Sequence, residues 1–430
     1  MKSKKLILLE KILKYFAAKA LARFKPRVVG ITGSVGKTST KEAVYAVLSA
    51  KYRVRRNEKN YNNEIGLPLT VLGLDGGGGS FSQWFLAILK AFSIAFFGSR
   101  EKYPEILVLE MGADRPGDIK YLVDFLHPEA GVVTAVGISH LEFFKDKKSI
   151  AREKSQLVRT LGKNGVAILN WDDKEIRKMA EKVKARKISF GFSEDADVRA
   201  SDIFFGYEKT ADGMGGSMNK IRGVSFKLSY QGTTIPMRLL HSVGRPQISA
   251  VLAAAAVGIG FNMNLVQIAA AIRDFRSPAG RLNLIEGIKN TMIIEDSYNA
   301  APQSMLAALE VLEKIDARRK IAVLGDMLEL GEKTEEGHRE VGRKAAEVAD
   351  VLIAVGERAR FIADEAGKTG LDNSKIICYH TPIEAKNPIQ NMLQEGDVIL
   401  VKGSRGMKME IISKEVMLHP EEAKKWLPGQ

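Results

Sequence analysis

The stretch Arg27-Val-Val-Gly-Ile-Thr-Gly-Ser-Val-Gly-Lys-Thr-Ser-Thr40 decides the fold. An apolar run enters a Gly/Ser turn through Gly33, Ser34 and Gly36. Lys37, Thr38 and Ser39 then open a helix expected over 37–50. Strand, glycine turn and helix in that order form a phosphate cradle. Backbone N–H groups at a helix N-terminus face an anion, the glycines let them approach, and the lysine adds charge. A hydroxyl directly after the lysine is placed to ligate Mg²⁺. ATP or GTP is the expected ligand. The general P-loop has a glycine where this chain has Ile31, so the flanking strand and helix carry the reading more than the spacing does.

Outward from this motif, strands are expected at 28–32, 106–110, 131–136 and 166–170. Helices are expected at 117–125, 148–161 and 247–258. Alternation of this kind builds a parallel sheet covered by helices. Residues 196–240 read instead as short antiparallel strands. From about Gly280 the alternation restarts, with strands at 292–296, 321–325, 351–356, 375–379 and 398–402. The expected fold class is therefore α/β, a P-loop parallel-sheet ATPase domain followed by a Rossmann-like doubly wound domain. The divisions are a basic segment 1–26, a central domain 27–279 with an apolar insertion at 76–103, and a C-terminal domain 280–430.

A chain of 430 residues suits two or three domains at ~100–200 residues each. One cysteine, Cys378, excludes an intramolecular disulfide and a cysteine-rich zinc site. Its apolar surroundings, Lys375 to Tyr379, predict a buried thiol. Residues 1–60 hold 11 Lys and 5 Arg against 3 Glu, nearly the whole net charge of +14. A charge excess confined to one segment argues against a general nucleic-acid binder. Within it, Leu6, Leu9, Leu13, Phe16 and Ala20 recur at helical steps. The segment 1–24 either lies on an anionic membrane surface or packs on the body of the protein. Trp84 to Phe97 is strongly apolar but broken by Lys90 and too short for a spanning helix of ~20 residues. It reads as a surface insertion, 81–97, for lipid or another subunit, or as a buried helix.

Polar groups at strand ends are candidates for chemistry, because ligands of open parallel sheets bind outside the carboxyl ends of the strands. Glu110 closes one apolar strand and could hold Mg²⁺. His140 follows another.

Together these motifs resemble the Mur ligase family of peptidoglycan synthesis, and within it the type that adds D-alanyl-D-alanine. The motifs run in order from Thr32–Ser39 through Asn60-Tyr-Asn-Asn-Glu-Ile-Gly-Leu-Pro68, Glu110-Met-Gly-Ala113 and His140-Leu-Glu142. They continue with Gly280-Arg-Leu282, Asp296-Ser-Tyr-Asn-Ala300, Gly325-Asp-Met-Leu-Glu-Leu-Gly331, His338 and Val401-Lys-Gly-Ser-Arg405. The resemblance implies an ADP-forming ligase that activates a peptide carboxylate as an acyl phosphate. It implies ATP and two Mg²⁺ ions as cofactors, with a UDP-muramoyl-tripeptide-like acceptor and D-alanyl-D-alanine as partners, in the cytoplasm or peripheral at the inner face of the membrane. Lys37, His140 and Lys154 are the implied catalytic residues. Thr38, Glu110, His140 and Lys154 are the implied metal ligands, Lys154 as its carbamate. Gly33, Ser34, Gly36, Lys37, Thr38, Ser39, Gln247, Arg281, Asp296 and Asn299 would bind ATP. Asn60, Asn62 and Asn63 would meet the acceptor, and Asp326, Glu329, Lys402, Ser404 and Arg405 the incoming amine substrate.

Three departures stand against the family pattern. Gly244-Arg-Pro-Gln247 replaces the usual Gly-Arg-His-Asn, Gly112-Ala-Asp114 replaces Gly-Ala-Asn, and 26 residues precede the P-loop strand where the family carries a UDP-binding domain. The UDP end would then be held by residues 1–60 or a partner, or the acceptor would be lipid-linked. A non-catalytic ATP-binding scaffold and a folylpolyglutamate-type ligase are the remaining readings. The retained motif residues argue against the first, and the Asp296–Ala300 and Gly325–Gly331 motifs against the second.

Overall fold

The fold is a computed structural model that describes residues 4–58, 61–78, 80–137, 144, 146–211 and 217–429. The chain opens with α1 (Lys4–Phe24), then β1 (Arg27–Thr32), α2 (Lys37–Ser49), β2 (Val54–Arg56), α3 (Gly66–Leu72) and α4 (Phe81–Phe97). It continues through β3 (Ile106–Glu110), α5 (Asp118–Leu126), β4 (Ala130–Val133), α6 (Lys147–Arg159), β5 (Val166–Asn170), α7 (Lys174–Ala180) and β6 (Arg186–Gly191). Three longer strands follow, β7 (Val198–Ala211), β8 (Ser217–Tyr230) and β9 (Thr233–Leu240), then α8 (Arg245–Gly260) and α9 (Leu265–Ile272).

These strands form one sheet in the order β2-β3-β1-β4-β5-β6-β7-β8-β9. Pairing is parallel as far as β7, and β7, β8 and β9 run antiparallel. The antiparallel strands read from sequence therefore extend the parallel sheet, and they are longer than expected, at 14, 14 and 8 residues. Period-two alternation divides the side chains. Val29, Ile31, Ile106 and Val108 face the layer of α2 and α8. Val28, Leu107 and Leu109 face the layer of α1, α5 and α6. Both faces are covered, so the strands read as continuous apolar runs. β1 lies between β3 and β4, and the chain leaves it first to one side and then to the other. A crevice opens at such a switch point, outside the carboxyl ends of the strands.

The second sheet comprises β10 (Asn283–Gly287), β11 (Thr291–Asp296), β12 (Arg319–Gly325), β13 (Val351–Val355), β14 (Ile376–Tyr379) and β15 (Asp397–Lys402). Its order is β10-β11-β15-β12-β13-β14, with only β10 antiparallel. The helices α10 (Pro302–Lys314), α11 (Thr334–Val348), α12 (Arg360–Thr369), α13 (Pro382–Met392), α14 (Glu410–Val416) and α15 (Ala423–Trp426) cover its two faces. Strand β10 was not expected from the sequence. Cys378 corrects the reading of a buried thiol: it is exposed, because β14 is an edge strand and the side chain points away from the core.

Glu295, on β11, is fully buried. Its carboxylate accepts hydrogen bonds from the Ser297 backbone N–H at 3.1 Å and from the hydroxyls of Ser297 and Ser413. It thereby ties β11 to α14. Burial outweighs these bonds and pushes its pKa up to about 7. The folded state therefore holds a proton that the unfolded chain releases at its ordinary value. The associated stability is complete below that ordinary value and is lost as pH rises through about 7. Urea unfolding of the wild type and Glu295→Gln across pH 5–8 tests this. The wild type should lose roughly 2–3 kcal/mol relative to the variant over that range. A difference independent of pH contradicts the assignment.

Candidate active site

The crevice at the end of β1 is built from backbone first. Gly36 caps α2 at φ 84°, a left-handed conformation that favours glycine. A Cβ on Gly33 would lie 1.9 Å from Thr134 Oγ1, so only a glycine allows the loop to lie against the end of β4. Thr134 also donates to the Val35 carbonyl at 2.6 Å. The Ser34 hydroxyl donates to the Gly137 carbonyl at 3.0 Å and accepts from the Gly137 N–H at 2.9 Å. The P-loop is thus pinned to the strand beside it, and the N-terminus of α2 follows directly, the kind of element that receives an anion.

Lys37 folds back over the loop and donates from Nζ to the Gly33 carbonyl at 2.7 Å. Removal from water lowers its pKa. The Glu110 charge opposes that shift most, and the Arg281 charge adds to it. Ser39 is buried in the first turn of α2. Glu110, at the end of β3, is 6% exposed, and Lys41 Nζ lies 4.0 Å from its carboxylate. Asn57, fully buried, accepts from the Glu110 N–H at 2.8 Å and donates to the Tyr61 carbonyl at 3.1 Å. It joins the loop after β2 to the end of β3. Asn57 and Thr134 carry no sequence signal of these roles, because one polar residue at a strand end is not distinctive until the strands are aligned.

Lys154 lies on α6 and is 4% exposed. Desolvation, reinforced by the Lys37 charge, pushes its pKa down to about 7. Its neighbour Glu153 accepts from the Gly117 and Ile119 N–H groups at 2.9 and 2.7 Å. That carboxylate fixes the N-terminus of α5 to α6 and holds the lysine in place. His140 and Asn60 lie outside the described residues.

The second sheet faces this crevice. Arg281 donates from Nη2 to the Thr38 hydroxyl at 3.3 Å, and its guanidinium stacks over Tyr298 at 4.1 Å. Its buried Nε has no partner among the described residues, as suits a donor reserved for an anion. Gln247 donates to the Arg281 carbonyl at 2.9 Å and keeps a buried Oε1 without a partner among the described residues. Glu329 is exposed on the loop after β12, and its charge raises the Lys37 pKa. Loops of both sheets therefore converge on the P-loop.

Other expected site residues form the frame around this crevice. Lys402 Nζ pairs with Asp296 Oδ2 at 2.6 Å and donates to the Asn299 carbonyl at 3.0 Å, closing the ends of β15 and β11 together. The Asn299 side chain accepts from the Ala300 N–H at 2.9 Å. Asp326 accepts from the Ala359 N–H at 2.7 Å, and the Ser404 hydroxyl accepts from the Leu328 N–H at 3.0 Å. His338 Nε2 accepts from the Met327 N–H at 3.0 Å, so its proton sits on Nδ1, 2.6 Å from the Thr334 carbonyl. Arg405 remains half exposed, 5.9 Å from the Tyr298 ring centre.

Asn62 and Asn63 line a pocket of about 270 Å³ with Glu10, Gly112, Asp114 and Tyr121, and the Asp114 charge also acts on Lys37 and Lys154. The Asn63 side chain also accepts from the Gly66 N–H at 2.9 Å, at the start of α3. The Tyr121 hydroxyl donates to Glu10 at 2.8 Å, so α1 supplies one wall of this pocket.

Among the described residues no group of three or more His, Cys, Asp or Glu is arranged to hold a metal ion by itself. The donor set fits Mg²⁺ nonetheless. That ion takes one or two protein oxygens and completes its shell with water and nucleotide phosphates. The hydroxyl of Thr38 and the buried carboxylate of Glu110 would supply those oxygens.

Residues 31–81 and 92–258 match the Mur ligase middle domain, and residues 280–405 match the Mur ligase glutamate ligase domain. The break in the first match falls inside α4. The chain is 30% identical over 410 residues to the UDP-N-acetylmuramoyl-tripeptide–D-alanyl-D-alanine ligase of Bacillus subtilis, covering 95% of this chain and 79% of that one. It is 31% identical to the ligase of the same name from Escherichia coli over 89% and 75% of the two chains. Its fold superposes on the MurF ligase of Thermotoga maritima in complex with ADP with a TM-score of 0.77, at 27% identity, over 97% and 84% of the chains. A crevice at the switch point of one sheet, an arginine reaching it from a second sheet, and two domain matches spanning most of the sequence lead to one conclusion: this chain belongs to the Mur ligase family.

Proposed function

We propose that the chain is an ATP-dependent, ADP-forming ligase that joins D-alanyl-D-alanine to the tripeptide carboxylate of a UDP-muramoyl acceptor. ATP and a nucleotide-linked acceptor place this work in the cytoplasm. The observation that carries the reading is the contact from Arg281 to Thr38, which brings the second sheet to the phosphate cradle of the first.

The chemistry follows from charge. A carboxylate oxygen of the acceptor attacks the γ-phosphorus of ATP, the bond to the β-phosphate breaks, and ADP leaves. Two anions meet in this step, so cations must surround them. The α2 N-terminus, Lys37 and Arg281 do so. We assign ATP binding to Gly33, Ser34, Gly36, Lys37, Thr38, Ser39, Gln247 and Arg281, with Asp296 and Asn299 shaping the adjoining turn. Two Mg²⁺ ions, one held by Thr38 and Glu110 and the other by His140 and Lys154, would supply further charge neutralisation when bound. The amine of D-alanyl-D-alanine then attacks the acyl carbon and loses a proton, and phosphate departs from the tetrahedral intermediate. Arg405 and Glu329 are the exposed groups on the amine side, and Asn62 and Asn63 lie on the acceptor side. Asp326, Lys402 and Ser404 hold the loops that position them. Water must be kept from the acyl phosphate, and closure of the two sheets on each other does that.

Lys154 as an ammonium would repel a metal ion. With its pKa lowered to about 7 the amine is substantially neutral at pH 7.5. The nitrogen can then bond to the carbon of CO₂ and release a proton, leaving an anionic carbamate. That product is an oxygen ligand suited to Mg²⁺.

Two tests follow. Lys37→Ala should retain the wild-type unfolding midpoint and lower the rate of phosphate release with both substrates by roughly 10³-fold. An unimpaired rate contradicts the assignment of the cradle. In ¹³C-labelled bicarbonate, the wild type should give a carbamate carbon resonance that fades as pH drops below about 7. Lys154→Arg should lack that resonance and lose activity by roughly 100-fold. The same resonance in both proteins contradicts the carbamate.

A further inference from the structure

The outer face of α4 reverses the usual pattern of a surface helix. Its small residues Ala87, Ala91 and Ala95, four apart, are buried. Its large apolar residues Phe85, Leu89, Phe92 and Phe96, spaced by four, three and four, point to solvent. Phe97 is 73% exposed at the end of the same helix, and Leu8 of α1 is 60% exposed. The two helices form one surface. Phe16 of α1 packs edge-on against Phe92 and Phe96, with centroids 6.1 and 6.4 Å apart. Arg23 donates to the carbonyls of Phe96 and of Gly98, the latter at 3.1 Å. Meanwhile α1 keeps Leu13, Ala17 and Ala20 fully buried against the body, so it is anchored and not a loose arm.

A contiguous apolar surface of this kind marks a contact with a partner or a lipid. Charge selects between them. Residues 4–25 and 81–102 hold ten Lys and Arg and only two Glu. Glu10, one of the two, is turned into the body and bonded to Tyr121. Lys11, Lys19, Arg23, Lys90, Arg100 and Lys102 are exposed around the apolar surface. Two copies meeting through this face would oppose cation to cation. An anionic bilayer satisfies both features, because aromatic and aliphatic side chains enter the headgroup region while the basic residues meet lipid phosphates. The helix does not span: no helix among the described residues is long and apolar enough to cross a membrane.

We propose that the α1–α4 face docks this ligase peripherally on an anionic lipid bilayer. Helix α1 also carries Glu10 into the wall of the pocket with Asn62 and Asn63, so the docking helix and that pocket share an element. The docking surface is independent of the ligase reading, since it needs neither ATP nor acceptor.

The test is flotation of the full chain with vesicles of phosphatidylcholine alone and of phosphatidylcholine with phosphatidylglycerol. The wild type should float with the mixed vesicles and not with the neutral ones. The double variant Phe85→Glu/Leu89→Glu should bind the mixed vesicles at least tenfold more weakly while its turnover in solution is unchanged. The single variant Phe85→Trp provides a readout that does not depend on the double variant folding. Its added fluorescence should shift to the blue and be quenched by brominated lipid in the mixed vesicles. Failure of the wild type to float overturns the proposal, as does added fluorescence in Phe85→Trp that brominated lipid leaves untouched. So does a concentration-dependent dimer abolished by Phe85→Glu/Leu89→Glu without any vesicle binding.

Discussion

The site depends on one electrostatic arrangement, a lysine drawn out of water at the switch point of a parallel sheet. Lys37 is held by the Gly33 carbonyl, near the buried Glu110 and the approaching Arg281. Desolvation lowers its pKa, and an incoming anion reverses that penalty by supplying the opposite charge. The cradle is therefore built to receive phosphate. Everything nearby keeps that geometry. Thr134 and Gly137 pin the loop, Asn57 pins the end of β3, and Glu153 pins α5 against α6.

A second layer of constraint joins the two sheets. The turn between α9 and β10 carries Gly280 at φ 70° and Leu282 at φ 51°, and the Gly280 N–H donates to the Trp426 carbonyl at 2.9 Å. The turn that presents Arg281 is thus tied to the far end of the chain. Lys402 and Asp296, register partners at the ends of β15 and β11, form a buried ion pair, and burial outweighs the Lys402 charge and holds the Asp296 pKa above its ordinary value. Losing one partner of such a pair leaves an uncompensated charge and is costly, so these residues act by holding the frame. Glu329 and Arg405, by contrast, meet solvent at the mouth.

Much of this was legible in the sequence, and the reasons are specific. Strands such as Ile106–Glu110 are buried on both faces, so they stand out as unbroken apolar runs ending in a charge. The glycines at 33 and 36 are forced by close approach and by positive φ, which is why the cradle is visible as a motif. Strand β10 was not legible, because its pairing with β11 depends on the turn at Lys289 and Asn290, both at positive φ without being glycine. Cys378 misled because an edge strand presents one face to solvent even when its sequence is apolar. The framework roles of Asp326 and Ser404 could not be separated from ligand contact until their backbone partners were in place.

The proposed chemistry requires an acyl phosphate formed on the acceptor carboxylate. Oxygen-18 in that carboxylate reports on it directly. The acceptor labelled at both carboxylate oxygens, turned over with ATP, Mg²⁺ and D-alanyl-D-alanine, should release inorganic phosphate carrying one labelled oxygen for each peptide bond formed. Unlabelled phosphate, or label appearing in AMP, would contradict the account.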